Sequence, residues 1–409
     1  MDAYSPHLDW INSQKDSLLQ RVKQWVAINT FSWNIEGLSQ LLLQLQSAFK
    51  ILDGEVACMD LPPQKILGSD GHFQSQPLGQ ALVIRKRPKA PFQILLGGHM
   101  DTVYAPSSPF QFIEERGKNI WNGPGVADMK GGIAILLTAL EALERSPFAN
   151  QIGWEVLLTP DEEIGSPGSA SLYETAADRH HFGLIFEPSF PDGAFVSQRK
   201  GSANYTIIVR GRAAHVGRDF SQGRNAVFPL ARFIHQLEGL LNDQDLTINV
   251  ADIEGKGPVN IVPPLATCRI NLRSSSSETL EKASRQLQKF AQQSEREGIQ
   301  VEVVQDSFRS PKPYDWETQH LFDAYADCAQ DLNIPFQIRP TGGVCDGNIL
   351  AGAGLPTLDT AGAVGGALHT PDEYLILSSL VERAKLAALF LFKLASQEIV
   401  IQKETSHGG

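Results

Sequence analysis

Basic residues are scarce in this 409-residue chain: 35 lysines and arginines stand against 46 acidic side chains, the net charge is −11, and no lysine- or arginine-rich block occurs. A polyanion would find little here to neutralise, so neither nucleic acid nor an anionic membrane is an expected partner. Long apolar runs are missing too. No stretch approaches the roughly 18 uninterrupted apolar residues of a membrane span, and the opening "MDAYSPHLDWINSQKD" lacks a basic start followed by an apolar core, so a cytoplasmic location is expected. Cysteine is sparse: Cys58, Cys268, Cys328 and Cys345 lack paired spacing, which suits reduced thiols better than a disulfide framework or a thiolate zinc site.

Apolar residues, in contrast, make up 42% of the chain, enough to bury more than one core at this length, so two domains are expected. Apolar residues recur at helical spacing from Leu8 to about Val26 and from Ile35 to Leu52, while "ALVIRKR", "PFQILLGGH", "GWEVLLTP" and "FGLIFEP" read as strands. Between them "GGIAILLTALEALERS" reads as a helix, so the pattern is that of an α/β fold, a mixed sheet covered by helices. After Ser197 the texture changes. "NYTIIVRG", "NAVFPLARFIHQLEGLL", the strands "PVNIV" and "ATCRINLRS", the helix "ETLEKASRQLQKFAQQSERE" and "QVEVVQ" predict two helices with about four strands, a smaller α+β sandwich inserted at 198–309 between two parts of the larger domain, 1–197 and 310–409. The terminal segment is predicted to return as helices around Leu321 to Leu332 and over "LILSSLVERAKLAALFLFKLA".

Five polar groups of metal-ligand type lie at predicted strand ends or in glycine-rich loops. In "GGHMDTV", His99 and Asp101 share a face at the C-terminal end of a strand, the edge where open α/β sheets gather ligands. Asp128 sits in the turn "GPGVADMKGG" just before a helix, approachable from two sides, which makes it the choice for a bridging ligand. "LLTPDEEIGSPGS" places Glu162 and Glu163 together after an apolar strand, where Gly165, Pro167 and Gly168 mark an irregular loop that lets both turn inward. One can then bind metal while the other stays free to take a proton from the attacking water. Glu187 ends the strand "LIFEPS", and His369 follows a glycine-rich run in "GGALHTPDEY". Singly, each has an ordinary explanation as a turn, cap or strand-end residue. Together, two imidazoles and three carboxylates without thiolate suit two divalent ions such as zinc, with cobalt or manganese as substitutes.

These segments resemble the dizinc aminoacylase and carboxypeptidase family that includes glutamate carboxypeptidase, succinyl-diaminopimelate desuccinylase and acetylornithine deacetylase. The resemblance covers essentially the whole chain, with "GHMDTV", "GPGVADMKGG", "DEEIGSPGS", "FEPS", "GRAAHVG", "NIVP", "TGGVCDGN" and "GGALHTPDEY" in the family's order. "HMDTV" with "GPGVADMKGG" leans toward the glutamate carboxypeptidase branch. The resemblance implies a zinc exopeptidase-like fold whose inserted domain is a lid or dimerisation domain, and hence a homodimer. It also implies one Zn2+ on His99, Asp128 and Glu187 and a second on Asp128, Glu163 and His369, with a cis peptide between Asp128 and Met129. Glu162 resembles the general base and Asp101 a carboxylate that orients His99. His215 matches a histidine that a partner subunit's lid brings to the oxyanion, Asn260 a lid asparagine near the substrate, and Arg309 an arginine for the substrate carboxylate. Two positions depart from the pattern: Asn271 stands where aspartate is usual before Arg273, and Cys345 where serine is common.

The expected activity is zinc-dependent hydrolysis of an amide or peptide bond beside a free carboxylate, acting on a small peptide as a glutamate carboxypeptidase-like metallo-exopeptidase. The alternative is an N-acyl amino acid deacylase of the acetylornithine deacetylase type. A non-catalytic binding protein on the same fold predicts eroded ligands or base, and neither is eroded.

Overall fold

The computed structural model describes residues 1–241 and 243–401, so the end of the predicted 310–409 segment, 402–409, lies outside the described residues. A six-stranded mixed sheet runs in the order Glu55–Met59, Ala81–Lys86, Gly153–Thr159, Gln93–His99, Phe182–Ile185, Thr357–Leu358. The first three are mutually antiparallel neighbours and the last four are parallel. Because side chains alternate across a strand, the inner strands feed two cores, while the edge strand Glu55–Met59 is mostly exposed. Leu82, Ile84, Ile94, Leu96, Val156, Leu158 and Leu184 face the larger one, and Val83, Leu95, Leu157 and Ile185 the smaller.

Two helices of the larger core, Gly132–Glu144 and Leu377–Ala395, are buried nearly all round. That is why their sequences read as almost unbroken apolar runs rather than amphipathic stripes. Truncating one of their fully buried leucines, such as Leu389, to alanine would cost about 2–5 kcal/mol. The N-terminal segment expected as one helix is two, Ser5–Ser13 and Lys15–Val26, divided at Gln14. The second predicted helix is α-helical over Ile35–Phe49 and ends in a 3-10 turn, Lys50–Leu52.

A separate four-stranded antiparallel sheet runs in the order Thr247–Glu254, Leu265–Ser274, Gly201–Arg210, Gln300–Arg309. One face packs Tyr205, Ile207, Val209, Cys268, Ile270 and Leu272 against the helices Val227–Leu237 and Ser277–Ser294. The second helix starts on the Ser276 hydroxyl, which accepts from the Thr279 amide, and it buries Leu280, Ala283, Leu287 and Ala291 at helical spacing. The predicted strand "PVNIV" is not one. The fourth strand is Thr247–Glu254 instead, while Pro258, Pro263 and Pro264 deny donors to a ladder and Val259 is 99% exposed. No helix among the described residues is long and apolar enough to cross a membrane, and all four cysteines are unpaired.

Candidate metal centre

Three adjacent parallel strands deliver the first groups. His99 closes Gln93–His99 opposite Thr159, Glu162 and Glu163 follow in the turn after Gly153–Thr159, and Glu187 follows Phe182–Ile185. Asp128 comes from the turn before the Gly132–Glu144 helix, with a cis peptide to Met129. The turn and helix start lie close to the sheet edge: a Cβ on Gly132 would sit 2.0 Å from the Phe186 carbonyl oxygen. His369 arrives on the loop between Gly365–Gly366 and Tyr374–Ile376, with a left-handed φ of 61°, a conformation that persists in a non-glycine residue only when its surroundings enforce it.

Asp128 lies between the two rings. His99 Nε2 is 3.0 Å from its Oδ1, and His369 Nε2 is 3.3 Å from its Oδ2. Glu163 Oε2 stands 3.2 Å from His369 Nε2, and Glu187 Oε1 3.7 Å from His99 Nε2. Ligand atoms of His99, Asp128 and Glu163 fall within 4.8 Å of one another, as do those of His99, Glu162 and Glu187. The five candidate ligands and Glu162 therefore meet in one place.

Electrostatics marks the centre as a cation site. Burial pushes the Glu163 carboxyl up to about 7 and raises those of Glu162 and Glu187. Hydrogen bonds to Asp128 and Glu163 lift His369 to about 11, while His99 is raised because Glu187, Asp101 and Asp128 outweigh its burial. The hydrogen bonding separates two kinds of buried acid. Asp101 accepts from the amides of Glu162 and Glu163 (3.2 and 3.1 Å) and from the Ser32 hydroxyl at 2.7 Å, and Glu373 accepts from the amides of Gly125, Ala127 and Asp128 and from the Tyr104 hydroxyl. The side chains of Asp128, Glu163 and Glu187 instead face imidazole nitrogens. Carboxylate oxygens and imidazoles gathered in this way fit divalent cations of the zinc, cobalt or manganese type.

Asp101 lies behind His99, its backbone oxygen 3.0 Å and its Oδ1 3.4 Å from Nδ1. Its side chain does a second job, fastening the Glu162–Glu163 turn to the His99 strand. Arg309 lies next to Glu162, with Nη1 donating to Oε1 at 2.9 Å and Nη2 reaching Ser166 Oγ at 2.6 Å and Asp346 Oδ1 at 3.3 Å. It lines a cleft of about 670 Å3 between the smaller sheet and the metal side chains, with Asn204, Asn271, Arg273 and His369 among its walls. Asn271 accepts from Arg273 Nε at 3.0 Å and donates to Asn204 Oδ1 at 2.7 Å.

His215 and Asn260 are not brought to this centre within the chain. They lie together on the exposed outer loops of the smaller domain, where the Val216 amide donates to the Asn260 carbonyl at 3.0 Å. Sequence reasoning missed Glu373, Tyr104, Asp346 and Arg273 as parts of the site. Glu373 and Asp346 stand inside quoted motifs, "GGALHTPDEY" and "TGGVCDGN", but nothing in the spacing says that they accept backbone and hydroxyl donors.

Residues 95–393 match the model of peptidase family M20/M25/M40. Among curated proteins the chain is 27% identical over 330 residues to carboxypeptidase G2 of Pseudomonas sp. (strain RS-16), covering 78% of each. It is 25% identical over 340 residues to succinyl-diaminopimelate desuccinylase of Nitrosospira multiformis, covering 78% of this chain and 86% of that protein. Its fold is similar to that of an M20 family metallo-carboxypeptidase from Sulfolobus solfataricus (TM-score 0.69, 17% identity, 93% of this chain and 99% of that one). Human carnosine dipeptidase 1 is similar too (TM-score 0.68, 17% identity, 96% and 100%).

Proposed function

Since the chain belongs to peptidase family M20/M25/M40, we propose that this hydrolase cleaves an amide or peptide bond beside a free carboxylate, in the manner of a glutamate carboxypeptidase. One observation carries the reading. Glu162 and Glu163, neighbours in sequence, turn to different partners: Glu163 to His369 at 3.2 Å, and Glu162 to Arg309 at 2.9 Å. One carboxylate is thereby committed to the ligand set and the other held beside it as a base.

His99, Asp128 and Glu187 would hold one zinc, and Asp128, Glu163 and His369 the other. When bound, two divalent ions supply Lewis acidity to the scissile carbonyl and lower the pKa of water. Glu162 receives the proton of the attacking water and returns it to the leaving nitrogen, while Arg309 holds its Oε1 in place. Asp101 fixes the His99 ring and the Glu162–Glu163 turn together. Two guanidiniums face the cleft and divide the work of charge. Arg309 is engaged by Glu162 and Asp346, whereas Arg273 is held by the neutral oxygens of Asn271 and Gly342 at 3.0 and 2.7 Å, which leaves its charge for the substrate carboxylate beside Arg309. The usual aspartate at position 271 would compete for that charge.

His215 would complete the oxyanion site from the lid of a partner subunit, with Asn260 beside it. Exposed Val216, Phe220, Phe228, Val259 and Ile261 on and near these loops support a homodimer through the smaller domain, and a separate sheet whose strands run from Gly201 to Arg309 supports the division at 198–309. Four unpaired cysteines support a cytoplasmic location. A deacylase reading is favoured by one observation, the likeness to succinyl-diaminopimelate desuccinylase. A panel of acyl-glutamates, dipeptides and acetylated amino acids separates the two, and Glu162→Ala tests the mechanism. It should abolish turnover with metal content near that of the parent protein; retained activity would refute the role of Glu162.

A further inference from the structure

Past the metal side chains the cleft continues. A second cavity of about 400 Å3 lies between the polar face of the smaller sheet and a hairpin of the larger domain, Gln64–Leu67 paired antiparallel with Phe73–Gln76. It shares Glu163, Ile164, Asn204, Asn249, Asn271 and Ser307 with the 670 Å3 cleft, so the two form one channel.

The walls of the far end differ in chemistry. Trp33, Ile164, Ile66 and Leu67 give the larger domain's side an apolar patch, next to Gln64, Lys65 and Glu163. On the sheet side Asn249, Asn271, Asn204 and Ser307 stand opposite one another across all four strands, one unbroken row of neutral amides and a hydroxyl. The charges nearby are occupied or in water: Arg269 pairs with Asp252 at 3.8 Å, Asp306 accepts from Thr206 at 2.8 Å, and Lys65 is exposed.

The hairpin that walls this cavity rests on the smaller domain. Arg210 Nη2 donates to the Gly71 carbonyl at its tip, and a Cβ on Gly71, whose φ is +79°, would meet Arg210 Nη1 at 2.8 Å and Leu265 Cδ1 at 2.9 Å. An isolated two-stranded hairpin is marginally stable, so this contact helps to set the width of the channel.

Distance along the sheet then fixes what can reach the far end. Arg273 and Arg269 lie on one strand, four residues apart, so the anchor for the substrate carboxylate and the end of the cavity are separated by roughly 13 Å. An acetyl or succinyl group on a single amino acid stops short of that. We infer that the far end is a second substrate subsite, taking an uncharged peptide residue beyond the scissile amide with its side chain against Trp33 and its backbone amides toward the asparagine row. This inference rests on the reading that the metal centre hydrolyses amides, and it makes acylated dipeptides or longer chains the preferred substrate class.

The test uses the metal-loaded protein and two hydrolysis-resistant probes, N-acetyl-glutamate and N-acetyl-phenylalanyl-glutamate with the scissile amide replaced by a methyleneamine, titrated by calorimetry. The longer probe should bind about tenfold more tightly, the worth of one well-buried aromatic side chain. Trp33→Ala should remove that advantage while leaving the shorter probe unchanged, and the exposed Asn249→Ala should weaken only the longer one. Should Trp33→Ala fail to fold, Ile66→Asn tests the same wall. Equal affinities in the parent protein, or equal weakening of both probes, would overturn the subsite. Turnover of the parent amides is measured alongside. Cleavage of neither, with the affinity difference intact, would refute the hydrolase reading and leave the subsite standing.

Discussion

Arg309 and Arg273 face one cleft but differ in what holds them, and replacing each by methionine should separate stability from substrate binding. The Arg309 side chain is 6% exposed, against 10% for Glu162 and 1% for Asp346. Arg309→Met keeps most of the apolar stem but leaves two buried carboxylates without their cation. Breaking a buried ion pair by removing one partner costs about 3–5 kcal/mol, and the lower end applies because a buried carboxyl can take up a proton rather than stay charged. For a chain of 409 residues that lowers the thermal midpoint by roughly 3–4 °C. Arg273 is half-buried and gives up only hydrogen bonds to Asn271 and the Gly342 carbonyl, worth about 1 kcal/mol each at most. Its loss should instead raise KM for a carboxylate-bearing substrate about 10- to 100-fold, the cost of one charged hydrogen-bonded contact, with kcat little changed. Differential scanning calorimetry and steady-state kinetics on both variants read the two effects. If Arg309→Met melts within about 1 °C of the parent protein while Arg273→Met is the unstable one, the assignment of one arginine to Glu162 and the other to substrate is wrong.

Three further outcomes follow from the same geometry. Glu373→Ala strips acceptors from three backbone amides and the Tyr104 hydroxyl around Asp128, which should cost on the order of 4 kcal/mol and lower metal content after gel filtration; full metal content with an unchanged denaturation midpoint would count against it. Chelation should lower the melting temperature, and zinc at a hundredfold excess over its Kd should restore about 2.7 kcal/mol; a melting curve indifferent to both would mean that the acid cluster holds no metal. Burial holds the thiols of Cys268 and Cys328 up at about 12, so at pH 8 an alkylating agent should modify the half-buried Cys58 first and those two only after unfolding, as peptide mapping would show.

Four of the six strands of the larger sheet were legible because both their faces are buried, which leaves continuous apolar runs such as "ILLGG" and "GWEVLLT", whereas the exposed edge strand Glu55–Met59 and the two-residue Thr357–Leu358 were not. The Thr247–Glu254 strand was illegible for the opposite reason. It is an edge strand with mostly exposed side chains, so its composition carries little of the period-two signal, and the more apolar "PVNIV" nearby drew the assignment instead. The hairpin at Gln64–Leu67 and Phe73–Gln76 is likewise half-exposed and polar.

At the candidate metal centre, motif and spacing found the five candidate ligands with Glu162 and Asp101, missed Glu373 and Asp346, and could not rank the acids. Asp101, Asp128, Glu162, Glu163, Glu187 and Glu373 are all buried or nearly so and all lie within a few residues of a glycine or proline. Their proposed division into structural acids, ligands and base rests on which donors reach them. A carboxylate that already accepts two or three amides, as Asp101 and Glu373 do, has its charge spread over fixed dipoles and gains less from a cation. Asp128, Glu163 and Glu187, turned toward imidazole nitrogens, keep their lone pairs for one, and Glu162 alone is held by a guanidinium. A backbone amide carries no signature in the residue type that bears it. The partner that decides a carboxylate's role can therefore come from a residue 61 or 245 positions away, as between Asp101 and Glu162 or Glu373 and Asp128, and only packing reveals it.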